Sequence, residues 1–180
     1  MSKLAIALSA ALAIGASAPA FAQSGTITFN GEVTATTCEV SFPGATNPSQ
    51  NPTITLPTVA APSLSAAGNT AGKTPVTVQI GTATNPCNGN SVALELNPNR
   101  NAEQTNGRLN NTDLSGAGNV QVALRDANDA EINLSAPWSS QRVSLATGVA
   151  EVDFAGEYYA TGAATAGLVS SNVQYTLDYN

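Results

Sequence analysis

The chain has 180 residues, with six basic and twelve acidic side chains, no histidine, and 10% of its residues charged. An acidic chain of formal net charge −6 with scattered basic residues has no electrostatic footprint for nucleic acid. Without histidine, imidazole acid–base catalysis, histidine-dependent triads and histidine-ligated metal centres are excluded, and the length suits one domain.

In chain order, residues 1–22 read as a secretory signal peptide. Met1-Ser2-Lys3 gives a positive start, Leu4 to Gly15 is an apolar run, and Ala20-Phe21-Ala22 has the small-x-small form of a cleavage site, so Gln23 is the expected mature N-terminus. The apolar run is too short for a membrane span, which needs ~20 residues. Gln23 to Thr37 then reads as a strand whose apolar face carries Ile27, Phe29, Gly31, Val33 and Ala35. A glycine inside a strand marks a bulge or the close approach of another backbone. Two readings fit: an ordinary first strand bulged at Gly31, or a strand with no partner in its own domain, held out for a neighbour.

Beyond it, apolar and polar residues alternate with period 2. The alternation runs through Cys38/Val40/Phe42, Val76/Val78/Ile80, Val92/Leu94/Leu96, Val120/Val122/Leu124, Ile132/Leu134, Val143/Leu145 and Ala150/Val152/Phe154. Pro43-Gly44, Asn47-Pro48, Asn85-Pro86, Asn97-Pro98, Asn106-Gly107 and Ala136-Pro137 separate the runs as turn formers. Only Ala60 to Ala67 suggests a single helical turn. Many short half-buried strands at this spacing predict an all-β antiparallel sandwich. The last run, Val173 to Asn180, predicts a strand bearing Val173, Tyr175, Leu177 and Tyr179 on one face. As the final strand of a sandwich it can leave an edge open, with backbone groups and apolar surface exposed.

Cys38 and Cys87 are the two cysteines. In an exported chain an even count reads as a disulfide, and their spacing fits neither a redox C-x-x-C pair nor a zinc shell. Closing a loop of about 50 residues restricts the unfolded chain by roughly 4 kcal/mol.

Other constellations carry less. Ser139 and Ser140 have no histidine base. Glu151 and Asp153, two apart on a strand, share its outer face and read as a solvated surface in preference to a glycosidase pair. Asp126 to Ala130 lacks the glycine and the bidentate glutamate of a calcium loop and reads as a polar hairpin turn. Gly116-Ala117-Gly118 lacks the third glycine of a dinucleotide site and reads as a loop. Trp138 reads as a core or interface residue in preference to a sugar platform. No cofactor is expected, and the chain reads as a non-enzyme.

Taken together these residues resemble the chaperone–usher fimbrial pilins, similar to type 1 major subunits. The resemblance rests on Gly25-Thr26-Ile27-Thr28-Phe29-Asn30-Gly31-Glu32-Val33 leading to Cys38, on Cys87, on Tyr159-Ala160-Thr161-Gly162-Ala163-Ala164-Thr165, and on the penultimate Tyr179. It implies an incomplete immunoglobulin-like β-sandwich completed by a donor strand from a neighbouring subunit, with residues 23–36 as the donor extension and 37–180 as the pilin domain. It also implies a periplasmic chaperone and an outer-membrane usher as partners, export through the periplasm, and a head-to-tail polymer of subunits at the cell surface supporting adhesion. Ile27, Phe29 and Val33 become the inserted anchors, Gly31 the family glycine, and Val173 to Tyr179 a groove wall with a chaperone-contacting end. The alternatives are a minor adaptor or tip pilin of the same pathway and a secreted β-sandwich carbohydrate-binding module.

Overall fold

A computed structural model describes residues 38–98 and 101–180. Their strands are β1 (Val40–Ser41), β2 (Thr70–Ile80), β3 (Ser91–Asn97), β4 (Leu109–Asn110), β5 (Val120–Asp126), β6 (Glu131–Ile132), β7 (Trp138–Ser139), β8 (Val143–Ser144), β9 (Ala150–Ala160) and β10 (Gln174–Tyr179). One 3-10 turn, Ala61–Leu64, falls where a single helical turn is expected, with Pro62 near its start. Every ladder is antiparallel. One sheet runs β1-β2-β9-β5-β4, with β6 also on β5; the other runs β10-β3-β7, with β8 also on β3. The sandwich expected from the alternation is therefore present.

The inward positions of the two sheets supply its centre. Val78 and Ile80 of β2 meet Val92, Leu94 and Leu96 of β3, with Ile132 and Leu134 beside them, all fully enclosed. Trp138 packs half-buried against this core, as its sequence context suggests. Glu151 and Asp153 lie exposed on the outer face of β9, and Asp126 to Ala130 forms the turn between β5 and β6, where Asp126 Oδ1 accepts from Asn128 N and Ala130 N at 2.9 Å each.

Two strands run further than the alternation predicts. β2 begins at Thr70, with a bulge between Ala71 and Thr74, and β9 continues past Phe154 to Ala160. The second half of β9 loses its polar outer face: Ala155 and Glu157 are as buried as Gly156. Arg125 covers that face and donates from Nε to Glu157 Oε1 at 2.7 Å. This bond, the largest influence on it, holds the Arg125 guanidinium above its ordinary pKa. Beside it Arg108 lies 3.6 Å above the centre of the Tyr159 ring and pairs with Glu131 at 2.7 Å. Long basic side chains thus do the covering that an apolar layer does elsewhere.

Cys38 and Cys87 are joined, with Cα atoms 5.1 Å apart. Close backbone contact positions the second cysteine. Gly81 and Gly148 both have positive φ, and a Cβ on Gly81 would lie 2.2 Å from the Gly148 carbonyl oxygen, which itself accepts from Cys87 N at 2.7 Å. Any larger residue at 81 forces these turns apart. The cross-link ties the start of β1 to the approach to β3, across the two sheets. Cys38→Ser is expected to lower the stability of the subunit by about 2–5 kcal/mol and to reduce the yield of folded protein sharply; immunoblots of exported subunit at matched expression check this.

Candidate functional site

β10 hydrogen-bonds to β3 along one edge, with Tyr175 opposite Leu96, Leu177 opposite Leu94 and Tyr179 opposite Val92. Among the described residues its other edge has no strand on it. Beside that edge lies a groove of about 1360 Å³. One wall is the stretch from Ala164 to Thr176, which leads into β10; the opposite wall is the extended segment 50–56, continued by Thr58 and Val59. The floor is the interior of the sandwich itself, with Val76, Leu94, Leu96, Val122, Leu124 and Phe154 reaching the opening. Toward the Ala160 end of β9 a second apolar cluster forms around Leu64, Val120 and Ala160, with Val59, Tyr158 and Val169 packed on it. A slot floored by core side chains and flanked by a strand edge has the shape and chemistry to accept one more strand: backbone pairing along the edge, alternate side chains into the floor.

The walls touch at Tyr175. Its ring meets Phe42 edge-on, centroids 5.4 Å apart at 71°, and its hydroxyl donates to the Gln50 carbonyl oxygen at 2.9 Å. One side chain thus gives an apolar body to the floor and a polar tip to the far wall. Burial raises the Tyr175 phenol above its ordinary pKa, and burial raises that of Tyr158 likewise. A folded-state pKa above the unfolded value means that the stabilisation is complete below about pH 10 and is lost as pH rises through the folded value. The unfolding midpoint of the subunit is therefore expected to fall above about pH 10, and less steeply in Tyr175→Phe; urea titrations across that range measure it.

The structure places the C-terminal residues Val173, Tyr175, Leu177 and Tyr179 along and just before β10, the first three half-buried on the main core. Val173 and Tyr175 also line the groove; Tyr179 stands 40% exposed at the strand end. Ile27, Phe29, Gly31 and Val33 lie outside the described residues. Sequence reasoning missed the second wall. Pro52, Ile54 and Leu56 alternate inward there, a legible signal, but the flanking Pro48 and Pro57 mark the stretch as loop.

Residues 27–180 match the family model described as Fimbrial protein. The F17 fimbrial protein of Escherichia coli is 40% identical over 174 residues, covering 93% of this chain and 94% of that protein. The major fimbrial subunit SMF-1 of Stenotrophomonas maltophilia is 39% identical, covering 88% and 94%. The fold is similar to that of the P pilus rod subunit PapA, with a TM-score of 0.55 at 14% identity over 79% of this chain and 99% of that one. These matches replace the reading of a carbohydrate-binding module: the chain belongs to the fimbrial protein family and is a subunit of an extracellular pilus, built to assemble with other pilin subunits.

Proposed function

We propose that this subunit is the repeating shaft unit of its fimbria and polymerises by donor-strand exchange. The observation that carries the reading is the groove beside β10, where side chains of the sandwich core meet the opening. Residues 23–36 of a neighbouring copy fill it, with Ile27, Phe29 and Val33 directed at the floor and Gly31 where the wall comes close. Each large apolar side chain contributes about 1.5–3 kcal/mol when buried, as an upper figure, and each added ladder bond about 0.5–1.5 kcal/mol. Because tail and groove are different surfaces, the contact is heterologous and propagates into an open filament.

Before assembly the same groove is an aggregation hazard. A periplasmic chaperone holds it filled, with Tyr179 at the contacting end of β10, and an outer-membrane usher exchanges chaperone for the next tail after signal-directed export. The role is mechanical; no group of the chain is assigned a catalytic step.

A synthetic peptide of residues 23–36, added to subunit lacking them, is expected to bind saturably and raise the unfolding temperature. The same peptide with Phe29→Ala is expected to bind about 3–5 kcal/mol more weakly, the range for truncating a buried phenylalanine. Equal shifts from both peptides, or from a scrambled one, exclude Phe29 as an anchor.

A further inference from the structure

Two leucines are fully out of place in the solvent. Leu114 is 102% exposed and Leu168 74%, and with Tyr179 they are the large apolar side chains exposed among the described residues. Leu114 lies between β4 and β5, Leu168 between β9 and β10, and the two loops are bound to each other. Ala117 N donates to the Leu168 carbonyl at 2.8 Å and Thr112 N to the Ser170 carbonyl at 2.8 Å. Asn111 clamps the pair: its Nδ2 donates to the carbonyls of Ala117 (3.1 Å) and Leu168 (2.9 Å), and its Oδ1 accepts from Asp113 N (3.1 Å) and Ser170 N (2.9 Å). All four of its hydrogen-bonding positions are used. The loop backbones are pressed so close that a Cβ on Gly116 would lie 2.1 Å from the Leu168 oxygen, and one on Gly167 2.4 Å from Ala117 N.

Three properties of this loop pair point the same way. It is braced, so holding the leucines outward costs little further ordering on contact. Its polar backbone groups are largely bonded within the pair, so covering it strands few donors or acceptors. It is nearly uncharged: among residues 111–119 and 161–172 the one ionisable side chain is Asp113, whose Oδ1 accepts from Ser115 N at 2.9 Å. Copies of a chain with net charge −6 repel one another, and this end lets them meet at least electrostatic cost. The knob is also continuous with the assembly groove, since Leu168 stands on its rim.

We propose that the Leu114–Leu168 knob is a second copy-to-copy contact, centred on Leu114 and adjoining the strand-exchange joint, which seats against another subunit in the assembled fimbria. The proposal rests on the chain being a polymerising subunit and not on what fills the groove.

Fimbriae carrying p-benzoylphenylalanine at position 114 are the test. Illumination is expected to give subunit–subunit cross-links whose mapped partner peptide comes from another copy, while the same group at the exposed Ser139 gives few. Cross-links confined to one chain, to a protein other than the pilin, or absent altogether overturn the proposal. In parallel, Leu114→Ser is expected to leave the unfolding midpoint and capture of the 23–36 peptide unchanged, since that side chain is fully exposed and is not among the groove-lining residues, but to loosen the packing of neighbouring subunits, which electron microscopy of the fibres measures. Fibres indistinguishable from the parent overturn it. Failure of the parent subunit to capture that peptide counts against the strand-exchange reading alone.

Discussion

Subunits lacking residues 23–30 are expected to fold with a chaperone and to form no fimbriae. The deletion removes Ile27 and Phe29, two of the three proposed apolar anchors, and the backbone between them. At about 1.5–3 kcal/mol per buried side chain the two account for roughly 3–6 kcal/mol, or two to four orders of magnitude in the affinity of each joint. The lost ladder bonds add to this. A filament amplifies the loss, because every joint along it uses the same contact and one open joint ends the chain. The deletion leaves the described groove-lining residues in place, so the truncated subunit should still start a fibre by accepting an incoming tail. It cannot extend one, and each extra start divides the intact subunits among more fibres. Mixed expression with intact subunit is therefore expected to shorten fibres in proportion to the dose, an effect that simple misfolding does not produce. Electron microscopy of fibre lengths against the ratio of the two forms measures it, and fibres of normal length from the truncated form alone would falsify the donor role.

How much of this was legible beforehand depends on which residues carried it. The inward positions of β2 and β3 were plain, because Val76/Val78/Ile80 and Val92/Leu94/Leu96 alternate with polar neighbours and each strand buries that face. The disulfide followed from two cysteines in an exported chain, and the expectation was met. The edge of β10 was legible from Val173 to Tyr179, but how far the groove runs along it was not. Leu177 reads the same as Tyr175 in period 2, and both pack half-buried on the core, yet Tyr175 also lines the groove and reaches its far wall, a difference set by Phe42 and Gln50 from the far end of the sequence. The second wall was hidden for a local reason, since prolines bracket Ile54 and Leu56 and suppress a strand reading. β4 was missed because two residues, Leu109–Asn110, make no period. The outer face of β9 was missed because burial there comes from cation–carboxylate and cation–ring contacts, which leave no hydrophobic pattern to read.

That outer face carries the largest expected effect on the folded subunit. Glu157 is 5% exposed and its carboxylate accepts from Arg125 Nε at 2.7 Å. Arg125→Ala leaves a buried carboxylate without its cation, and breaking such a pair from one side costs about 3–5 kcal/mol. For a domain of this size that corresponds to a fall of roughly 10 °C or more in unfolding temperature. The damage reaches the groove, because on the opposite face of the same two strands Leu124 sits across from Gly156 and both form its floor. Binding of the 23–36 peptide should therefore weaken along with stability, although neither charged residue touches the groove. Replacing both partners, Arg125→Met with Glu157→Leu, removes the stranded charge and is expected to recover most of the loss, since well-packed apolar pairs often match a buried ion pair. A double variant as unstable as Arg125→Ala would mean that the arginine acts by covering β9 with its stem, and that its charge contributes little. Thermal unfolding of the peptide-bound single and double variants separates the two.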